Sequence, residues 1–332
     1  MHFGISKPVV VFAMLFWAAH AQAREPVATT EQFAFYSDFE TNVNDALIAA
    51  GVARKSGRTE LFSAGDEQAC FEALAPSSQT GWNLAVDFYA EIISPHQFND
   101  RQQSRIRLSL AGIEEEDARA LDFLDQAANF RRAASPAYKA CRWTAQDAAN
   151  RLWIDNVTSQ MLRHEPEISA RLAKLYQQTW PDQHMDVDVV ATVSWAGANS
   201  YFPDNSAGHI LISSGSAGHE ALETVFHEAS HGFMLRPAPL QDALALAAEQ
   251  VGVPVPDGLW HVVLFYTTGE AVRTVLEDAG EPGYKPMIYE IYGRSSWGDY
   301  QEAMDATWPS YMDGRKSATD AALDLTRQIS GQ

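Results

Sequence analysis

The stretch His227-Glu228-Ala229-Ser230-His231 constrains its surroundings more tightly than any other part of the chain. Side chains four positions apart on an α-helix share a face, so a helix here projects two imidazoles together with the Glu228 carboxylate beside the first. The flanking residues supply that helix. Leu222, Val225, Phe226, Ala229, Phe233 and Met234 recur at helical spacing, and no glycine or proline interrupts them before Gly232. Ala229 and Ser230 carry no charge, so the helix can be buried everywhere except along its polar face. Two imidazoles one turn apart with an adjacent carboxylate form the H-E-x-x-H pattern of zinc hydrolases. His227 and His231 are therefore candidate ligands of one Zn2+ per chain. Glu228 is the candidate general base, taking up the proton as zinc-bound water attacks a polarised carbonyl.

Two imidazoles alone do not hold a catalytic zinc, and a third protein ligand is expected. Glu270 is the preferred residue, because it lies in an apolar stretch, Leu264 to Arg273, where a carboxylate is costly unless a metal or an arginine neutralises it. An ion pair with Arg273 is the alternative use of that carboxylate. His261 is the rival ligand. Nine residues at about 100° each put His261 and Glu270 on opposite sides of one straight helix, so only one of them can face the ion. Tyr266, one turn before Glu270, is a candidate hydrogen-bond donor to a developing oxyanion, and Tyr284, Tyr289 and Tyr292 are later sources of the same group. Glu223, one turn before His227, reads as a solvated acid near the helix start, or else as a brace for an imidazole. His209 and His219 read as ordinary polar residues at the start of a strand and of a helix.

At its start the chain has a polar segment with Lys7, an apolar run from Val9 to Ala19, and Ala21-Gln22-Ala23 before Arg24. This is the pattern of a signal peptide spanning residues 1–23, which implies an exported protein, periplasmic or secreted. No later segment approaches about 18 consecutive apolar residues, so no membrane insertion is expected after cleavage. A net charge of −19 argues against nucleic acid and anionic membrane surfaces as partners. Export to an oxidising compartment makes a Cys70–Cys141 disulfide the expected use of the two cysteines.

Amphipathic helical spacing runs through Phe35 to Ala50, Trp82 to Ile93, Glu116 to Arg131 and Ala145 to Gln178. Strand-like stretches follow at Met185 to Trp195 and Gly208 to Ser214, then the motif helix. Further helices are expected over Leu240 to Val251, His261 to Leu276, Pro286 to Tyr292 and Ala318 to Ile329. The expectation is an α+β, predominantly helical protein: a helical N-terminal lobe over 24–181, then a metal-binding catalytic domain with a small mixed sheet over 182–332. The strand His209 to Ser214 is assigned the sheet edge, beside the metal, where an extended substrate could pair. There is no G-x-S-x-G nucleophile elbow and no phosphate-binding G-x-x-x-x-G-K-[ST].

With these residues in place, the chain resembles the zincin metallopeptidases. Within them it is similar to the gluzincin type, in which H-E-x-x-H is joined by a glutamate from a later helix. The resemblance rests on Thr224 to Phe233 and, more weakly, on Gly269-Glu270-Ala271. It implies zinc held by His227, His231 and Glu270, with Glu228 as base. The segments Ala221 to His231 and Leu259 to Arg273 also look like an exported bacterial family of unassigned function, which implies no activity. Two departures stand out. The gap from His231 to Glu270 exceeds that of thermolysin-like chains, and the aspartate expected four residues after the glutamate is Thr274. The residues after His231 also lack the metzincin continuation. The expected function is a zinc-dependent hydrolase of a peptide, protein or amide substrate. A zinc hydrolase of a non-peptide ester or amide, and a non-catalytic periplasmic binding or interaction protein with this fold, are the alternatives.

Overall fold

The computed structural model describes residues 24–92, 101–113, 117–193, 197–204, 206–235, 238–293 and 295–331. The leader segment, residues 1–23, lies outside them. The protein is α+β and predominantly helical, with one small mixed sheet. Five strands form it: β1 (Ala28–Thr29), β2 (Phe33–Tyr36), β3 (Met185–Val190), β4 (Ala198–Tyr201) and β5 (His209–Ser213). They lie in the order β1-β2-β3-β5-β4. The three central strands are parallel, and β1 and β4 close the two edges in antiparallel pairing.

Thirteen α-helices are distributed around this sheet among the described residues. Before β3 come α1 (Phe39–Ser56), α2 (Gly65–Glu72), α3 (Pro76–Ile92), α4 (Arg101–Leu110), α5 (Ala118–Tyr138) and α6 (Thr144–Tyr176). After β5 come α7 (Gly218–Phe233), α8 (Pro239–Val251), α9 (Leu259–Asp278), α10 (Ile288–Tyr292), α11 (Gln301–Thr307), α12 (Pro309–Met312) and α13 (Ala318–Ser330). Phe35 and Tyr36 belong to β2, not to the first helix. That helix starts only at Phe39, where the Asp38 carboxylate accepts the Thr41 N–H and satisfies one of the free amides of the first turn.

The hydrophobic residues separate into two main cores, and the division does not fall at residue 181. One core is built mainly by α1, α3, α4 and α5, with Leu47, Trp82, Tyr89, Ile106 and Tyr138 among its residues, and takes in Phe62 from the turn after α1. The disulfide Cys70–Cys141 joins the end of α2 to a π-helical turn, Lys139–Trp143, on the rim of this lobe. The other core contains the motif helix and the sheet, β2 included, together with α6 from Trp153 onward. Phe33 meets the Phe226 ring edge-on at 5.6 Å, and Trp153, Ile154, Met161 and Leu172 of α6 pack into the same cluster. Strand β2, which precedes the helical lobe in sequence, and most of the longest helix are therefore part of the body that carries the motif. Burying the apolar faces of β3 and β5 requires a helix across them, and α6 and α7 provide it.

β5 is not the edge strand. It is bonded to β3 on one side and to β4 on the other, and among the described residues the edge next to the motif helix belongs to β4.

Candidate metal centre

The motif lies in the second half of α7, and both of its imidazoles face α9. His227 is 3% exposed and its ring stacks on Phe265 of α9, centroid to centroid 3.7 Å. The Nδ1 atom of His227 is buried without a hydrogen-bond partner among the described residues, so packing against Phe265 fixes this ring. Behind the pair, Ser230 is fully buried and accepts a hydrogen bond from Thr268 of α9 at 3.1 Å. Thr268 Oγ1 in turn lies 2.9 Å from the Tyr176 hydroxyl of α6, which donates to the Leu264 carbonyl at 3.2 Å. The uncharged residue between the two histidines thus ties α7 to both neighbouring helices.

His261 completes the group. Its Nε2 lies 3.4 Å from Nε2 of His227, and its ring centroid is 4.9 Å from that of His231. One ligating atom from each of His227, His231 and His261 lies within 4.8 Å of the other two, and this is the only such trio among the described residues. Two nitrogens bound tetrahedrally to zinc at about 2.0–2.1 Å stand roughly 3.4 Å apart. The donor set and the His227–His261 spacing therefore fit a zinc ion.

His261 reaches this position from the first turn of α9. Gly258 caps the helix with φ 71°, a left-handed conformation that favours glycine. A side chain there would also collide with Trp297, whose Nε1 would lie 2.6 Å from the added Cβ. Trp297 can consequently sit over the start of α9, with its ring 5.2 Å from that of His261. The Tyr300 hydroxyl donates to the Asp257 carbonyl at 3.0 Å and pins the 3-10 turn Ser296–Tyr300 to the same place.

Glu270 does not join the trio. Helical rotation carries it away from His261, and its carboxylate accepts from Arg273 at 2.6 and 2.7 Å and from the Tyr289 hydroxyl at 3.2 Å. The costly carboxylate is thus neutralised by an arginine, and the metal-facing position on α9 falls to the histidine. Tyr266 goes with Glu270. It is hydrogen-bonded to Tyr289, and burial, with the Glu270 charge second, pushes its hydroxyl up to about 12. Tyr284 and Tyr289 line a separate cavity of about 300 Å3 with Glu270, Arg273, Lys285 and Pro286.

Glu223 is not solvated either. It is fully buried and accepts from the Tyr284 hydroxyl at 2.6 Å and from the Met287 N–H at 3.2 Å. Burial outweighs these donors and lifts its carboxyl to about 8. His209 is buried in the sheet with its Nε2 2.7 Å from Asp188, and His219 faces Gln160 and Glu281.

Around the trio, burial suppresses charge. It pulls His231 down to about 4 and His261 to about 3, and holds His227 well below the ordinary histidine value. All three are therefore neutral at physiological pH, the form in which an imidazole nitrogen has a lone pair for a metal. Glu228 shifts the opposite way. Burial lifts its carboxyl to about 7, against a lowering hydrogen bond from Ser200 of β4. Ser200 connects the edge strand to the motif, and its position within a short polar strand gave no sign of that in the sequence.

No protein-family model, curated protein or solved structure was found to match the chain.

Proposed function

We propose that the chain is an exported zinc-dependent hydrolase of the zincin type, acting on the amide bonds of a peptide or protein. The observation that carries this reading is the convergence of His227, His231 and His261 on one point, with Glu228 buried next to the first of them. Zinc held by these imidazoles would supply Lewis-acid activation of a carbonyl and of water at neutral pH.

The protein's own residues supply the rest. Glu228, buried beside the first of these imidazoles and hydrogen-bonded to Ser200, is placed to accept a proton and return it, which is the role a general base next to the metal requires. A metal site with only a structural role needs no such carboxylate. Among the described residues β4 is paired on one side only, and its outer side, next to the strand residue that holds Glu228, is where an extended main chain can bond as a further strand. The disulfide accords with an oxidising destination, and no helix among the described residues is long and apolar enough to cross a membrane.

The test is metal content joined to turnover. The purified protein, dialysed and assayed by elemental mass spectrometry, should hold one zinc per chain and cleave members of a mixed peptide library. Glu228→Gln should keep the zinc and lose the cleavage. A folded protein that takes up no metal when zinc is added overturns the reading.

A further inference from the structure

Two consecutive residues hold the edge strand from its two faces. Ser200 pairs with Ile210, on the face covered by α7, and donates there to the Glu228 carboxyl. Tyr201 pairs with His209 and lies on the opposite face, which meets the helical lobe. Its hydroxyl accepts a hydrogen bond from Nη1 of Arg107 on α4 at 2.9 Å and another from Asn199 at 3.1 Å. The other arm of the same guanidinium, Nη2, pairs with Asp45 of α1. Arg107 and Asp45 are each 3% exposed, so the ion pair is sealed between lobe and sheet. On the sheet side the Tyr201 ring stacks on His209 of β5 at 6.3 Å, and His209 Nε2 lies 2.7 Å from Asp188 of β3.

A sealed ion pair adds little stability, because desolvation offsets most of its attraction. Here Arg107 Nε and one Asp45 oxygen also have no hydrogen-bond partner among the described residues. Apolar side chains of the same volume would join α1 to α4 as well. They could not reach a hydroxyl on the sheet in a fixed direction. A planar guanidinium can: oriented by Asp45 at one arm, it presents the other at a set angle. Pairing alone holds β4 weakly, because the strand is four residues long and, among the described residues, bonded to one neighbour only.

We infer that Arg107, oriented by Asp45, is a positioning residue that fastens the edge strand from the lobe side, so that the lobe sets where a substrate main chain lies relative to Glu228. The inference rests on the hydrolase reading above and gives the helical lobe its part in it. Release of Tyr201 lets β4 shift, and Ser200 and any main chain paired to the strand shift with it. The three imidazoles sit on α7 and α9 and are not displaced. A misplacement of about 1 Å can cost on the order of a hundredfold in rate, so a small movement of the strand is enough to register.

The experiment uses the full-length mature protein loaded with zinc. Tyr201→Phe removes one hydroxyl and keeps the ring against His209, so the fold is retained. Amide hydrogen exchange over residues 198–201 should quicken by about tenfold or more. With the peptides that the wild type cleaves, kcat/KM should fall by about tenfold, partly through a higher KM, which a smaller folded fraction alone would not change. Zinc content should stay the same. Asp45→Leu combined with Arg107→Met separates positioning from stability: it should unfold near the wild-type temperature and still show the faster exchange and the lower kcat/KM. Faster exchange with wild-type kcat/KM in both variants overturns the positioning role. Unchanged exchange in Tyr201→Phe overturns the fastening itself, while the hydrolase reading stands. A wild type that cuts no peptide overturns the hydrolase reading and the lobe's part in it, whereas faster exchange in both variants then still supports the fastening of β4.

Discussion

Nε2 of His227 and Nε2 of His261 stand 3.4 Å apart across 34 residues of sequence. With both rings neutral, this contact is at best one long N–H···N hydrogen bond, and it gives His231 no partner. Burial keeps both rings neutral, so the proximity is not an ion pair. A cation between them and His231 gives three lone pairs a common partner, and this is the simplest account of why one buried and two half-buried imidazoles converge.

His261→Ala should therefore abolish tight zinc binding, and Glu270→Ala should not. One ligand of about four shares in an apparent binding free energy of roughly 10–16 kcal/mol, so its loss weakens affinity by at least about a hundredfold. Glu270→Ala breaks a partly exposed ion pair with Arg273 and is expected to cost about 1 kcal/mol or less of stability. Competition with a chromophoric chelator measures both affinities. Zinc retained by the first variant and lost from the second would reverse the ligand assignment.

What could be read from the sequence follows from what local spacing encodes. The motif helix, α6, α8 and α13 were legible because apolar residues at helical spacing report directly on burial of one face. The choice between Glu270 and His261 was half legible: helical rotation showed that they exclude one another, but their partners lie on other elements. Arg273 was visible one turn away, whereas Tyr289 and the ring of Trp297 were not. β1, β2 and β4 were missed because a strand of two to four residues shows no periodicity, and its existence depends on distant strands. The same holds for the edge. A strand becomes interior only when a neighbour pairs with it, and β4 is that neighbour. Gly232 and Gly258 were the available traces of Phe202 and Trp297, since each glycine stands where a ring approaches the backbone.

Glu223 should make stability fall as pH rises from about 4.5 to about 8. Its folded-state value of about 8 lies above the ordinary 4.5, so in that window the folded protein keeps a proton that the unfolded chain has released. Stability then declines with pH and levels off above 8. Glu223→Gln removes the titration while still accepting the Tyr284 hydrogen bond, and should gain on the order of 3 kcal/mol relative to wild type between pH 5 and pH 8. The three imidazoles impose the opposite slope below about 6.5, but they do so in both proteins, and the difference isolates Glu223. Urea unfolding of the metal-free forms at the two pH values provides the check; parallel curves would contradict the assignment.

Removing the disulfide should loosen the helical lobe without emptying the metal centre. Cys70 and Cys141 are separated by 71 residues, and a cross-link of that span typically contributes about 2–4 kcal/mol. The lobe it braces has a core distinct from the one around the motif helix. The double variant Cys70→Ala, Cys141→Ala is expected to unfold at lower temperature and to bind one zinc with unchanged affinity. Calorimetry with a metal assay separates the two effects, and a loss of zinc affinity would show that the cores are mechanically coupled.

Phe202 links the edge strand to the end of the motif helix, and Gly232 sets how closely it does so. A Cβ at position 232 would lie 2.7 Å from Phe202 Cε1, and the other neighbour of the ring, Gly208, leaves no more room, since a Cβ there would lie 2.5 Å from the same atom. Alanine in a helix gains about 0.5–1 kcal/mol over glycine, but the collision costs about 1–3 kcal/mol, so Gly232→Ala should be net destabilising. If the collision is the cause, removing the ring removes the penalty. Gly232→Ala combined with Phe202→Ala should then be more stable than the sum of the single changes predicts, by on the order of 1 kcal/mol. Ser200 lies two residues before Phe202, so displacing the ring should also weaken the Ser200–Glu228 hydrogen bond and raise the Glu228 carboxyl further. A double-mutant cycle in urea tests the coupling, and strict additivity would mean that the ring does not press on Gly232.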